Sequence, residues 1–174
     1  MTIHTDDPFP PERDDPARRL RSRIGGRVTL WTAGPVPSAD LGGSQRSAGL
    51  TVTSILLAGG EPWRALGLLD PDADLTDRLL HTGSAVIHLV DTHDRALAEA
   101  FSGLVPAAGG PFRRADWVGS SWGPRLATAQ SWMGVRLVDA HQEGWSLLVT
   151  CVIEHAEVGA DDDPLVHRRG RYNA

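Results

Sequence analysis

The sequence contains no lysine, and all seventeen of its basic residues are arginine. This absence excludes a lysine Schiff base and the lysine of a Walker-type phosphate loop. Cysteine occurs once, at Cys151, so no intramolecular disulfide can form and a reducing cytoplasm is the expected compartment. Because Cys151 lies in an apolar run, we expect a buried, inert thiol rather than a nucleophile.

Long apolar runs are also missing, since no stretch approaches the ~18 residues of a membrane span, and no signal peptide is recognisable. A net charge of −5 disfavours a nucleic-acid groove. We therefore expect neither a membrane nor a nucleic acid as partner. The 174 residues predict one globular domain at 17–174. It follows an acidic, proline-rich arm at 1–16 that we expect to be disordered or loosely packed.

The most informative stretch runs from Arg46 to Gly83. Hydroxyl and aliphatic side chains alternate over 50–55, which predicts a strand with two different faces. Glycines and a proline at 58–62 predict a turn, and the mostly apolar segment 63–69 predicts a second strand. The pair Asp70-Pro71 ends that strand. A short helix over 75–81, stopped by Gly83, completes the stretch.

The rest of the chain has a similar pattern of short strands and shorter helices. Further strands are predicted at 28–32, 85–90, 132–140 and 145–158, with a final strand or extended arm at 165–172. Further helices are predicted at 17–24 and 93–101. The count is about seven strands with two or three short helices. Such a succession indicates a mainly β, antiparallel barrel rather than alternating βαβ units.

Two patterns suggest other chemistry but lack the context it requires. Residues 119–123 read G-S-S-W-G, the form of a hydrolase nucleophile elbow. That motif needs a preceding parallel strand and a following helix, whereas Pro124 follows here. His88 and His93, near Asp91 and Asp94, do not have a trusted zinc spacing, so we expect surface or helix-capping roles for them.

Four segments, taken in order, resemble the flavin reductase-like, FMN-binding split-barrel family. They read GLTVTSIL, LLDPDADL, LLHTGSAVIHLV and PLVHRRGRY, and the likeness extends over about 25–172. The resemblance implies an antiparallel Greek-key split barrel with a few short flanking helices. It also implies a cytoplasmic homodimer with each flavin site near the subunit interface.

The resemblance places the flavin along the first strand of the informative stretch and beside the turn that follows the second. The implied cofactor-binding residues are Leu50, Thr51, Val52, Thr53, Ser54, Ile55, Asp70, Pro71 and Asp72, with Arg46 and Arg168 as phosphate ligands. Backbone groups and hydroxyls of the strand would reach the pyrimidine edge, the ribityl chain and the phosphate. The alternative is that these are ordinary threonines and serines of an edge strand.

Two departures from the family pattern affect this interpretation. Asp72 and Asp74 replace serines that commonly contact the flavin phosphate, and carboxylates repel a phosphate. Either aspartate could instead cap the helix, and the phosphate would then depend on arginines, with Arg113 and Arg114 as further candidates. Trp145 stands where many members have a histidine near the nicotinamide; a tryptophan could stack on a ring but cannot transfer a proton.

We therefore predict an NAD(P)H:flavin oxidoreductase that reduces FMN, or FAD, by hydride transfer to flavin N5. Either NADH or NADPH would be the co-substrate. Reduced flavin would pass to a partner oxygenase. Two alternatives remain open: a split-barrel protein that binds flavin or another ligand without catalysis, and a split-barrel enzyme that uses a deazaflavin.

Overall fold

The computed structural model describes residues 26–37, 46–160 and 162–173. The predicted arm at 1–16 and the predicted helix at 17–24 lie outside the described residues. The strands are β1 Gly26–Arg27, β2 Thr29–Ala33, β3 Ala48–Val52, β4 Ile55–Ala58, β5 Arg64–Leu69, β6 Ser84–Leu89, β7 Trp117–Gly119, β8 Pro124–Leu126, β9 Ser131–Glu143, β10 Ser146–Glu157, β11 Val166–Arg168 and β12 Arg171–Tyr172. The helices are α1 Asp74–Thr82 and α2 Arg95–Phe101, with 3₁₀ turns at Thr92–Asp94 and Pro111–Arg114.

Seven strands form one antiparallel sheet in the order β3-β2-β6-β9-β10-β5-β4. The sheet curls into a half-barrel, which confirms the predicted mainly β fold class. Its two edge strands, β3 and β4, follow each other in the chain and run in the same direction. They are one bent strand that begins at one edge of the sheet and continues at the other.

The bend corrects the prediction of a single strand at 50–55. Thr53 and Ser54 lie between β3 and β4 and belong to neither strand. Up to Val52 the chain pairs with β2, and from Ile55 it pairs with β5. Both residues have ordinary strand propensity, so the break comes from the curvature of the sheet and has no local sequence signal. We call Thr53–Ser54 the corner.

Helix α1 follows the predicted pattern closely. Leu75 and Leu79 are buried against the sheet, and the helix ends at Gly83. Gly83 has a φ of 71°, and its N–H donates to the Leu79 carbonyl at 2.8 Å. This left-handed terminus is the usual reason for glycine after a helix.

The concave side of the sheet holds the main core. Trp31 lies at its centre, fully buried, and a Cβ added to Gly67 would come within 2.9 Å of the indole ring. Only a glycine therefore permits β5 to pass over this ring. Cys151 lies in the same core, and burial raises the pKa of its thiol to about 12. The expectation of a buried, inert cysteine is confirmed.

A second core fills the space between the other side of the sheet and helix α2. It includes Leu97 and Phe101, which point inward from this helix. Phe112 and Trp117 pack edge-on against Phe101 at ring distances of 4.9 and 5.9 Å. The predicted final strand at 165–172 is instead a small hairpin, β11–β12, and β11 pairs with β1 beside the corner. Neither helix in the described part of the chain has the length and apolarity of a membrane span.

Candidate functional site

The corner is held firmly to strand β5. Ser54 Oγ donates to the Leu68 carbonyl at 2.7 Å, and the Leu68 N–H donates to the Ser54 carbonyl at 3.1 Å. Thr53 lies beside β1: a Cβ added to Gly26 would be only 2.8 Å from the Thr53 carbonyl oxygen. Both residues are half-buried. The corner therefore presents short polar groups from a well-defined backbone.

The other predicted strand residues point into the protein. Leu50 and Ile55 pack on the main core, and Val52 belongs to it. Thr51 Oγ1 donates to the Ala98 carbonyl of α2 at 2.7 Å. Of the six strand residues, Thr53 and Ser54 are the two that lie at the corner.

The turn after β5 is rigid and acidic. Asp70 Oδ1 accepts a hydrogen bond from the Asp72 N–H at 2.9 Å, and the Asp70 carbonyl accepts one from Thr76 Oγ1 at 2.6 Å. The suggestion that Asp72 or Asp74 caps the helix is wrong: Ala73 is the N-cap, and no side chain bonds there. The reason is that Asp70 and Thr76 already close the turn, which leaves Asp72 and Asp74 exposed.

The corner, the Asp70 turn and Arg168 are brought together through neighbouring strands. Ser54 is bonded to Leu68, two residues before Asp70. On the other side of the corner, Gly26 pairs with His167, the residue before Arg168. Pro71, half-buried, continues the turn.

The remaining arginine candidates lie elsewhere in the fold. Arg46 precedes β3, roughly 20 Å of extended chain away from the corner, beside Gly34 and the side chain of Arg78. Arg113 and Arg114 are in the 3₁₀ turn next to the second core, where Arg114 donates to the Pro106 carbonyl at 3.1 Å. These three arginines therefore do not lie next to the corner.

An apolar surface on the convex side of the sheet was not predicted from the sequence. We call it the outer leucine face, formed by Leu56 of β4, Leu66 and Leu68 of β5, and Leu148 of β10. Leu56 pairs with Leu66, and Leu68 pairs with Leu148. Leu56 is 72% exposed and Leu68 is 36% exposed.

A sequence signal for this face existed in β5. Its small residues, Ala65 and Gly67, alternate with Leu66 and Leu68. Small residues inside and leucines outside reverse the usual arrangement, because the Trp31 ring occupies the space within. The face is apolar and adjacent to the corner through the Ser54–Leu68 hydrogen bonds.

Trp145 lies at the tip of the β9–β10 hairpin and is 95% exposed. Gly144, with a φ of 59°, forms the turn before it. The ring therefore has no packing role in the described part of one chain. His167, near the corner, packs edge-on against Tyr172 at 5.2 Å, and burial lowers the pKa of its ring.

The two alternative motifs have structural roles. Residues 119–123 form the turn between β7 and β8, which are antiparallel, and Ser120 Oγ donates to the Gly123 carbonyl at 2.7 Å. No nucleophile elbow is present there. Asp94 Oδ2 accepts from the Asp91 N–H at 3.5 Å at the start of the 3₁₀ turn, as expected for capping.

The surface or capping role expected for His88 is wrong. His88 is fully buried, because its side chain faces the second core from β6. Nδ1 lies 2.8 Å from the Leu30 carbonyl and must donate to it, while Nε2 accepts from the Leu126 N–H at 3.0 Å. Both ring nitrogens thus join neighbouring backbone segments.

Comparison with known proteins identifies the family. The profile of the flavin reductase like domain matches residues 21–174. The reductase component of an FADH2-dependent resorcinol hydroxylase from Rhizobium sp. (strain MTP-10005) is 29% identical over 158 residues, which cover 90% of this chain and 84% of that protein.

Solved structures share the fold at low sequence identity. The NADH:FAD oxidoreductase SgcE6 of Streptomyces globisporus superposes with a TM-score of 0.77 at 19% identity, covering 97% of this chain and 96% of its own. BorF, the flavin reductase component of a bacterial two-component tryptophan halogenase, gives a TM-score of 0.75 at 21% identity, covering 91% and 95%. With a family profile that spans all of the described residues and the matching half-barrel, the chain belongs to the flavin reductase-like family.

Proposed function

We propose that this protein is an NAD(P)H:flavin oxidoreductase that supplies reduced FMN or FAD to a partner oxygenase. Family membership supports the oxidoreductase class, and the resorcinol hydroxylase relative is named as the reductase component of such a system. When bound, the flavin supplies N5 as the acceptor of the nicotinamide hydride. The protein's task is to hold two rings in contact and to exclude water.

The outer leucine face is the observation that carries this proposal. A planar ring needs an apolar wall, and Leu56, Leu66 and Leu68 form one across two paired strands. The wall ends at Thr53 and Ser54, whose short polar groups suit a ribityl chain. The Asp70 turn and Arg168 lie on either side of that polar end.

The acidic turn favours weak flavin binding. The exposed carboxylates of Asp70 and Asp72 lie where the phosphate end would be, and like charges disfavour its approach. Weak binding suits a reductase that uses flavin as a diffusing substrate. We infer that the purified protein is colourless and releases its reduced flavin readily.

We further propose that the active species is a homodimer in the cytoplasm. The outer leucine face continues through Thr150 and Val152 of β10, and Val138 beside it is 51% exposed. Contiguous apolar surface of this kind marks an interface. A second copy of the chain on this face would enclose the ring against solvent.

The deciding experiment is a titration with FMN followed by NADH oxidation in its presence. The expected result is NADH consumption that depends on added FMN and saturates with it. The second candidate, a flavin-binding protein without turnover, is favoured by Trp145 in place of the proton-transferring histidine. FMN binding without NADH consumption, with NADPH tested likewise, would establish that second function.

A further inference from the structure

The mouth of the half-barrel contains a cavity of about 640 Å³. The large apolar side chains of its lining are Leu57, Trp63, Leu89, Trp132, Met133 and Ile153. Trp63 precedes the first residue of β5, whereas the Asp70 turn follows the last residue. The six residues of β5 separate the two places by roughly 20 Å. The cavity is therefore distinct from the corner, and Leu57 of its lining alternates along β4 with Leu56 of the outer leucine face, so the two side chains point to opposite sides of the sheet.

One side of the cavity is built from rings that are held in place. Trp132 Nε1 donates to Glu157 Oε2 at 2.8 Å, and Arg125 lies over the Trp132 ring at 5.3 Å. The His155 ring lies 4.7 Å from Trp132 and stacks on Trp122 at 5.4 Å. The indole of Trp122 in turn lies directly on Gly134. Because the rings are fixed before any ligand arrives, binding costs little ordering of side chains.

The charges at the cavity select against anions. The lining includes the carboxylates of Glu61, Glu154 and Glu157 and, within the described part of the chain, no arginine. Arg136, paired with Glu154 at 2.7 Å, and Arg125, over the Trp132 ring and near Glu157, both lie outside the lining, so Glu61 carries the rim charge that no arginine offsets in the described part of the chain. A phosphate or a carboxylate at this mouth would meet like charges, whereas a hydroxyl would find acceptors.

We propose that the barrel mouth binds a flat, uncharged aromatic molecule that carries a hydroxyl group, at a site separate from the flavin. The ring lies against Trp63 and Trp132, and the hydroxyl donates to a rim carboxylate. A volume of about 640 Å³ is in the usual range for small-molecule sites, and it suits two fused rings better than one. The proposal rests on the cavity and does not require the reductase activity.

The test is calorimetric titration of the full chain with 2-naphthol and with 2-naphthoate, which share one ring system and differ in charge. We expect saturable binding of 2-naphthol and binding of 2-naphthoate that is weaker by about tenfold or more. Ala156→Phe places a ring in the mouth from an exposed position and should abolish 2-naphthol binding. Ala108→Phe, an exposed alanine outside the lining, is the matched control and should leave it unchanged.

Three results would overturn the proposal. Equal affinity for the two compounds would remove the role of the rim carboxylates. Undiminished binding of 2-naphthol to Ala156→Phe would place it elsewhere. Displacement of 2-naphthol by FMN, with loss of FMN binding in Ala156→Phe, would show that the mouth is the flavin site. NADH oxidation by Ala156→Phe is measured separately, so failure of this proposal and failure of the reductase function are distinguishable.

Discussion

His88 is a fully buried histidine whose two ring nitrogens are both engaged by backbone groups. Burial is the main cause of a pKa lowered to about 4; the Leu30 carbonyl acts in the opposite direction, and Arg125 lowers the pKa slightly further. The ring is therefore neutral in the folded protein. Protonation of Nε2 would break the bond that it accepts from Leu126. The hydrogen bonds by which His88 links β2, β6 and β8 therefore depend on pH.

This coupling predicts acid sensitivity between pH 6.5 and pH 4. The unfolded chain protonates His88 near pH 6.5 and the native chain only near pH 4, so stability falls as pH decreases through that window. The full loss is roughly 3 kcal/mol. Urea unfolding across the window should show a weaker pH dependence in His88→Gln than in the parent protein. The exposed His141→Gln is the control, and an unchanged slope in His88→Gln would contradict the assignment.

A second prediction concerns the charge beside the proposed phosphate position. Asp72→Ser removes an exposed carboxylate that caps nothing, and FMN affinity should rise about fivefold, as expected for a single solvent-screened charge pair. Equilibrium dialysis with FMN measures the effect. Asp77→Ser, on the exposed side of α1, should change affinity less. Equal effects of the two substitutions would show that Asp72 points away from the flavin.

At the scale of elements, the sequence predicted what local patterns determine. Helix α1, its glycine stop and the long β9–β10 hairpin follow from periodicity and turn residues that are visible in the chain. The break at Thr53–Ser54 could not be predicted, because both residues suit a strand. The outward orientation of Leu66 and Leu68 could not be predicted either, since it depends on Trp31, a residue of another strand. The cofactor role expected for Thr53, Ser54 and the Asp70 turn came from the family resemblance, whereas the cavity depends on the assembled barrel.

The end of α1 provides a prediction at this scale. Gly83 has a left-handed backbone, and no atom lies within 4 Å of an added Cβ. Gly83→Ala should therefore lower the free energy of unfolding by about 1 kcal/mol, the cost of holding alanine in a left-handed conformation. Thermal unfolding measures it. Gly60→Ala, in an exposed turn without positive φ, should be close to neutral, and equal destabilisation by both would contradict this account.

For the whole molecule, the outer leucine face serves two proposed purposes, ring binding and dimerisation. These purposes are compatible if each subunit completes the partner's ring site. Leu56 is the most exposed residue of the face, so a change there should affect assembly more than folding.

Leu56→Glu should convert the dimer to a monomer and abolish FMN-dependent NADH oxidation. The monomer should still be folded, with a cooperative thermal transition, because the substituted side chain is on the surface of one chain. Analytical ultracentrifugation and the oxidation assay provide the two measurements. Leu104→Glu, which places the same charge at another exposed leucine, should leave both unchanged. A Leu56→Glu protein that remains dimeric would place the interface elsewhere.

The two residues between β3 and β4 also reverse the alternation of inward and outward side chains along the bent strand. Ala48, Leu50 and Val52 face the main core, so regular alternation would send Leu56 inward; instead Ile55 packs inside and Leu56 faces solvent. Shortening this segment by one residue would place Ile55 at the next inward position of a regular alternation, so Leu56 would still face solvent and Leu57 would still face the barrel mouth. A single-residue deletion at Ser54 would thereby keep the outer leucine face and the cavity wall, while removing the Ser54–Leu68 hydrogen bonds that hold the polar end of the proposed flavin site.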